Sequence, residues 1–190
     1  MKLSARFDDA LKYATQLHAK QVRKFGGVPY VAHLLGVASI ALDYGADEDE
    51  AIAALLHDAI EDQGGSATAE VIRQRFGETV TTIVEGCTDT YTVPKGPWQE
   101  RKDAFLARLI HASPSIRLVV AADTLHNVRS SLRGYRCEGG DFWERLQGGG
   151  RLNLWYYREI VDVLKRSGTS PLLEELDRTV RELAAIAEQR

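Results

Sequence analysis

The chain has 190 residues, of which 44% are hydrophobic and 27% charged, with a formal net charge of −3. This is the balance of one ordinary globular domain, and the acidic charge disfavours a duplex nucleic-acid binder, which usually carries a basic excess. No apolar run reaches the ~20 residues that span a bilayer, and the N-terminus lacks the apolar core of a signal peptide. Cys87 and Cys137 stand in no metal-binding spacing and suit a reducing compartment. We therefore expect a cytoplasmic protein that is not bound to a membrane.

Hydrophobic residues recur at helical spacing through most of the chain, and no segment shows the alternation of a strand. Helices are predicted, in chain order, over 4–20, 31–44, 48–62, 68–76, 78–87, 98–111, 115–133, 151–166 and 171–189. A basic loop containing glycines lies at 23–30 and a proline-containing loop at 88–97. The glycine-rich stretch 134–150 is predicted to hold at most a short helix around 142–146. The expected fold is all-α, a single domain over 1–190 forming a helical bundle, with closing helices in 151–190.

The helix predicted over 48–62 concentrates ionisable side chains at its end. Asp47 is a plausible N-cap, with Glu50 at capping-box spacing, and Gly64-Gly65 would end the helix. Four ionisable residues fall in its last two turns: His57, Asp58, Glu61 and Asp62. The helix dipole already places partial negative charge at a C-terminus, so three carboxylates there require a nearby cation. A metal ion would provide that charge.

Two further metal ligands are expected from other helices. His33 stands near the start of the second helix, and Asp123 interrupts an apolar run, where a buried carboxylate must be paired or bound to metal. Two imidazoles and two carboxylates suit Mn²⁺, Fe²⁺, Co²⁺ or Zn²⁺. The alternatives are a solvent-facing His33 and a buried ion pair of Asp123 with Arg117 or Arg129.

Six short motifs resemble, in the same order, those of a known family. They are His18-Ala-Lys-Gln21-Val-Arg23-Lys24, Pro29-Tyr30-Val-Ala-His33, Leu55-Leu56-His57-Asp58-Ala-Ile-Glu61-Asp62, Phe76-Gly77-Glu-Thr-Val80, Val84-Glu-Gly-Cys-Thr88 and Ala122-Asp123-Thr-Leu125-His126-Asn127-Val-Arg129-Ser130. The pattern resembles the HD-domain metal-dependent phosphohydrolases, and more closely the hydrolase domain of the RelA/SpoT alarmone enzymes and stand-alone small alarmone hydrolases. The resemblance covers about residues 5–165.

The resemblance implies an all-helical HD domain that removes the 3′-pyrophosphate of guanosine tetra- or pentaphosphate. One divalent ion, Mn²⁺ in this family, would be held by four ligands: His33, His57, Asp58 and Asp123. Glu61 and Asp62 would position or deprotonate the attacking water. The partner is therefore expected to be a small phosphorylated guanosine nucleotide, rather than duplex nucleic acid or a membrane.

Several positions depart from the family pattern. Leu34 replaces a usual proline, Thr124 a usual basic residue and Ser130 a usual threonine, and the loop at 23–30 is one residue longer. None of these changes removes a ligand, but the lost basic residue and the longer loop leave the substrate open. One alternative is a phosphatase for another phosphorylated nucleotide or nucleotide cofactor. Another is a non-catalytic, nucleotide-sensing HD domain, although such a domain would not need Glu61 and Asp62.

A nucleotide with several phosphates requires cations at the entrance of an acidic site. The candidate substrate contacts are Arg23, Lys24, Lys95, Asn127 and Tyr156. The alternative roles are solvated basic side chains for the three cations, a hydrogen bond to a metal ligand for Asn127, and an aromatic core position for Tyr156. Arg129 could instead pair with a carboxylate inside the bundle. The remaining histidines are expected to be structural (His18 and His126) or exposed (His111).

Overall fold

The computed structural model describes residues 2–24, 26–92, 94–145 and 149–188. Across these ranges the regular structure consists of eleven helices, with no strand beyond one isolated bridge between Val22 and Pro29. The helices are α1 (Ala5–Leu17), α2 (Val31–Asp43), α3 (Glu48–Leu56), α4 (Ala59–Asp62), α5 (Ser66–Phe76), α6 (Glu78–Cys87), α7 (Trp98–Leu109), α8 (Pro114–Glu138), α9 (Gly140–Arg145), α10 (Gly150–Lys165) and α11 (Pro171–Glu188). The all-α prediction is confirmed.

Helix α3 lies at the centre of the bundle. Its predicted capping box is present: the Asp47 side chain accepts from the Glu50 backbone N–H, and the Glu50 side chain accepts from the Asp47 backbone N–H, both at 2.8 Å. Residues 51–56 have no exposed surface, and the helix packs against α1, α2, α6 and α8. A helix buried on all sides holds its C-terminal end in a fixed position, and His57 follows directly.

The prediction of one continuous helix over 48–62 is wrong. Helix α3 ends at Leu56, and α4 begins at Ala59 with Asp58 as its N-cap. His57 and Asp58 keep right-handed helical backbone angles, but the His57 Nδ1–H donates to the Ala54 carbonyl at 2.8 Å. This local side-chain bond competes with the regular backbone ladder and marks the break. Glu61 and Asp62 therefore lie in a short separate helix rather than at the end of the long one.

The glycine-rich stretch after Arg133 was also predicted wrongly. Helix α8 begins with the Ser113 side chain as cap and Pro114 in its first turn, and it continues through Gly134 to Glu138. Within α8, Gly134 leaves room for the side chain of α9 that packs against it: a Cβ there would lie 2.2 Å from Cε2 of Phe142. Leu146, at the end of the predicted short helix, lies outside the described residues. The other predicted helix ends differ by a few residues.

One hydrophobic core includes residues from α1 to α8, α10 and α11. Helices α2, α3 and α8 contact one another at its centre, and α10 packs against α7, α8 and α11. Over the described residues, none of the helices has the length and apolar character needed to cross a membrane. The extent of the domain, residues 1–190, stays a prediction.

Candidate active site

Two buried histidines and two carboxylates converge where α2, α8 and the α3–α4 break meet. His33, in the first turn of α2, is 1% exposed, and its Nε2 lies 3.2 Å from Asp123 Oδ1 and 3.6 Å from Asp58 Oδ2. His57 is 3% exposed, and its Nε2 lies 3.0 Å from Asp58 Oδ2 and 3.5 Å from Asp123 Oδ1. One ligand atom each from His33, His57 and Asp58 lies within 4.8 Å of the others.

The arrangement of His57 suits a metal ligand. Because its Nδ1–H donates to the Ala54 carbonyl, Nε2 is the nitrogen that faces the carboxylates, and in the neutral ring it would offer its lone pair to a metal. This Nε2 is buried and has no hydrogen-bond partner among the described residues. A buried ring nitrogen without a partner is costly unless a proton or a metal ion occupies the position. The mixed nitrogen and oxygen donors around it fit a divalent transition metal.

His57 and the two carboxylates of the cluster shift one another's pKa. Burial opposes ionisation of each group, but the neighbouring Asp58 and Asp123 raise the pKa of His57 well above its ordinary value. In the same way, against the effect of burial, His57 and His33 lower the pKa of Asp58 and of Asp123. Without metal, the site thus pairs ionised carboxylates with a protonated His57, and a bound divalent ion would take the place of that proton. Asp123 contacts neither Arg117, which bonds to the Ala112 carbonyl, nor Arg129, which pairs with Glu175.

Glu61 and Asp62 lie beside this cluster and share one cation. The Lys95 ammonium lies 2.7 Å from Glu61 Oε1 and 2.7 Å from Asp62 Oδ1. The other oxygen of Asp62 accepts a bond of 2.8 Å from the Gln21 side-chain amide. Burial, together with the charges of Asp58 and Asp89, raises the pKa of Glu61. A carboxylate with a raised pKa is a stronger base than an exposed glutamate.

The basic loop is closed by backbone bonds that fix Arg23. The Arg23 N–H donates to the Val28 carbonyl at 2.8 Å, and the Tyr30 N–H donates to the Gln21 carbonyl at 2.9 Å. The Arg23 guanidinium donates to Asn127 Oδ1 at 2.8 Å, and Asn127 Nδ2 donates to Asp123 Oδ1 at 2.7 Å. Asn127 therefore links the basic loop to a candidate metal ligand.

The candidate residues line a single cleft with a volume of about 790 Å³. Its walls include the proposed metal ligands, Glu61, Asp62 and the five candidate substrate contacts, which are Arg23, Lys24, Lys95, Asn127 and Tyr156. Tyr156 lies against Trp98, with ring centroids 5.9 Å apart, and beneath the Lys102 ammonium at 4.8 Å. All eleven side chains chosen from the sequence thus meet in one place, and a nucleotide fits a cleft of this size.

The comparisons with known proteins decide the family. Residues 10–155 match the HD domain family. This chain belongs to the HD-domain family. It is 41% identical over 128 residues to the guanosine-3′,5′-bis(diphosphate) 3′-pyrophosphohydrolase MESH1 of Xenopus tropicalis, covering 66% of this chain and 69% of that one. The human protein of that name is 37% identical over 129 residues, with the same coverage.

A solved structure resembles this HD domain along nearly its full length. It is described as a metazoan ortholog of SpoT that hydrolyzes ppGpp, and it matches with a TM-score of 0.79 and 30% sequence identity, covering 96% of this chain and 97% of that one. A bacterial pyrophosphohydrolase from Aquifex aeolicus is 36% identical over 121 residues, which are 64% of this chain and 17% of the longer relative. The predicted resemblance to the alarmone hydrolases is confirmed.

The structure also adds residues to this HD domain's site that were not chosen from the sequence. Tyr30 donates its hydroxyl to Asp58 Oδ2 at 2.6 Å, and His126 contacts His33. Asp89, Arg101 and Lys102 form a charged group that lines the same cleft. The spacing of Tyr30 to His33 was a usable signal, because residues three apart share a helix face. No sequence pattern pointed to Asp89, Arg101 and Lys102, because their ion pairs join the loop after α6 to α7, the next helix along the chain.

Proposed function

We propose that this HD-domain protein is a metal-dependent hydrolase that removes the 3′-pyrophosphate from guanosine tetra- or pentaphosphate. The products would be the 5′-di- or triphosphate and pyrophosphate. The observation that carries the proposal is that Glu61 and Asp62 lie in the same cleft as the His33, His57, Asp58 and Asp123 cluster. The names of the relatives support the same reaction.

We propose His33, His57, Asp58 and Asp123 as the ligands of one divalent ion, with Mn²⁺ as the ion expected from the family. Two carboxylate donors offset much of the charge of a divalent ion, so the attacking water would still need a base. When bound, the ion supplies Lewis acidity at the phosphoryl oxygens and lowers the pKa of water. The proton transfers and the binding of the nucleotide would be carried out by the protein's own side chains.

Glu61 or Asp62 would accept the proton from the attacking water. The water oxygen then bonds to the phosphorus attached to the ribose 3′-oxygen, the bond from that phosphorus to O3′ breaks, and the 3′-oxygen takes up a proton. The Lys95 ammonium, at 2.7 Å from both carboxylates, supports this assignment because it stabilises their ionised form. The hydrogen bond from Gln21 would keep the carboxylate of Asp62 in one orientation.

Arg23, Lys24, Asn127 and Tyr156 would bind the nucleotide. The guanidinium of Arg23 offers paired donors to a phosphate, and Asn127 lies between it and Asp123, so it would contact a ribose or phosphate oxygen. Tyr156 would lie beside the purine or its ribose. Lys95 would exchange a carboxylate partner for a phosphate. We expect the enzyme to act in the cytoplasm, where its free cysteines would remain reduced.

The test is an assay of metal-free protein, reloaded with Mn²⁺, on a panel of 3′- and 5′-phosphorylated nucleotides. The proposal expects turnover of guanosine tetraphosphate in the reloaded sample and none in the metal-free sample. If the protein prefers a different phosphorylated nucleotide, the proposed substrate would be wrong, while the assignment as a metal-dependent hydrolase would stand. Tight nucleotide binding without turnover would favour a sensing domain.

A further inference from the structure

A buried carboxylate holds two cations together on the wall of the cleft. Asp89, in the loop after α6, has a side chain that is 2% exposed, and its Oδ2 accepts from Arg101 Nη1 at 2.5 Å and from Lys102 Nζ at 2.8 Å. Arg101 is further held by its Nε–H, which donates to the Gly96 carbonyl at 3.2 Å. We call these three residues, Asp89, Arg101 and Lys102, the Asp89 triad.

The triad lies directly beside a candidate catalytic carboxylate. Arg101 Nη1 is 3.8 Å from Glu61 Oε1, and the Asp89 backbone N–H donates to Glu61 Oε2 at 3.4 Å. All three residues of the triad line the same cleft as Glu61 and the metal-ligand cluster. The Lys102 ammonium also lies 4.8 Å above the ring of Tyr156, which keeps it at the cleft wall.

The triad has two cations and unused hydrogen-bond donors. Asp89 balances one of the two charges, and the other is shared with Glu61, 3.8 Å from Arg101. In the part of the chain that the structure describes, Nη2 of Arg101 has no hydrogen-bond partner, and the Lys102 ammonium bonds only to Asp89. Lys95 and Arg23 would each have to give up or share a present partner to bind a phosphate, Lys95 from Glu61 and Asp62 and Arg23 from Asn127, whereas these donors of the triad are already free. A group with these properties in a partly buried cleft suits a phosphate.

We propose that the Asp89 triad binds the terminal phosphate of the substrate's 3′-pyrophosphate, and so selects a pyrophosphate over a single 3′-phosphate. This inference rests on the proposed function. If Glu61 acts beside the phosphorus under attack, the terminal phosphate is one bridging oxygen away from it, whereas the whole ribose separates the 5′-phosphates. Lys95 is the cation nearest Glu61, but it bridges Glu61 and Asp62, whereas Arg101, 3.8 Å from Glu61, and its neighbour Lys102 have donors free to receive the terminal 3′-phosphate. Asp89 orients the two cations without contacting the substrate.

The experiment measures two substrates that differ by one phosphate. These are guanosine tetraphosphate and guanosine 5′-diphosphate 3′-monophosphate, each assayed with native protein and with Arg101→Gln and Lys102→Gln. The expected result is a loss of roughly tenfold to a hundredfold in kcat/KM for the tetraphosphate, with little change for the 3′-monophosphate. Lys20→Gln is the control, because Lys20 is exposed and lies outside the cleft.

A binding measurement separates this inference from the proposed reaction. Calorimetry of the Mn²⁺-loaded proteins with inorganic pyrophosphate should show weaker binding in both triad variants and unchanged binding in the control. The inference would be overturned if both triad variants lost kcat/KM equally on the tetraphosphate and the 3′-monophosphate, or if their affinity for pyrophosphate were unchanged. The triad would then be a structural ion pair. Native protein that binds pyrophosphate through the triad but does not hydrolyse the tetraphosphate would overturn the proposed reaction alone. If Arg101→Gln fails to fold, the more exposed Lys102→Gln gives the same test.

Discussion

His33 and His126 face each other through their imidazole rings, with the two Nδ1 atoms 2.8 Å apart. For His33 to offer its Nε2 lone pair to a metal, its Nδ1 must carry the hydrogen, so His126 Nδ1 accepts the bond. Burial, with the nearby charges of His33 and Arg23, lowers the pKa of His126 to about 4, so this ring stays neutral. His126, expected to be structural, therefore orients a candidate ligand.

Gly36 makes this contact possible, since a Cβ at Gly36 would lie 2.3 Å from Cδ2 of His126. We expect Gly36→Ala and His126→Ala each to weaken Mn²⁺ binding by about 10- to 100-fold, because His33 loses the partner that fixes its ring. Calorimetric titration of the metal-free proteins measures this change. Gly96→Ala is the control, because a Cβ there meets nothing within 4 Å. Unchanged affinity in both variants would show that His33 is oriented without His126.

The ligand cluster is expected to hold one ion per chain. His57→Ala and Asp123→Ala should each abolish tight binding of the metal ion, because an incomplete ligand set cannot hold it. Removing the ion with a chelator should lower the thermal midpoint of the native protein and leave the midpoints of the two variants unchanged. Elemental analysis and thermal unfolding measure these effects. His111→Ala, at an exposed histidine, is the control. Two tightly bound ions would indicate a binuclear site, and none, with stability unaffected by chelation, would rule out the metal site.

The candidate bases are tested by amide replacements that keep their shape. Glu61→Gln and Asp62→Asn should retain the metal and the fold, while at least one loses about 10²-fold or more in kcat, since an amide cannot accept the proton from water. Each variant also leaves Lys95 with one carboxylate partner instead of two. Steady-state kinetics alongside metal analysis distinguishes impaired catalysis from impaired metal binding. Normal turnover by both variants would refute the assignment.

The basic loop is tested by removing its charges. Arg23→Ala combined with Lys24→Ala should raise KM or lower kcat/KM and leave the metal content unchanged. Each charge-assisted hydrogen bond to a phosphate that the substitutions remove should cost about 1.5–3 kcal/mol of transition-state binding. Lys20→Ala is the matched control, because Lys20 is exposed and lies outside the cleft. Kinetics equal to those of native protein would mean that the loop is only a solvated surface.

The sequence predicted those parts of the fold and site that are encoded locally. The capping box at Asp47 and Glu50 and the helical repeats were readable because they depend on residues within one or two turns. The side chains chosen from motifs do meet in one cleft, although their roles remain predictions. The break at His57 was missed because the hydrophobic residues keep helical spacing across it, and the side-chain bond from His57 to Ala54 leaves no periodic signal.

Other features depend on tertiary contacts that local patterns do not encode. Gly134 looked like a helix breaker, yet it lies within α8. The ring of Phe142 occupies the space that a side chain at this position would need. The pairing of Asp89 with Arg101 and Lys102 depends on how the loop after α6 folds back onto α7. The hydroxyl of Thr124 donates to the Val120 carbonyl within α8, so the position after Asp123 supplies no charge to the cleft.

The most direct test of the proposed reaction is the fate of oxygen in the products. In this experiment, Mn²⁺-loaded protein is incubated with guanosine tetraphosphate in water enriched in ¹⁸O, and mass spectrometry then identifies which product carries the label. Attack at the phosphorus attached to O3′ predicts labelled pyrophosphate and unlabelled guanosine diphosphate. Release of labelled orthophosphate, or label in the guanosine diphosphate, would contradict attack at that phosphorus.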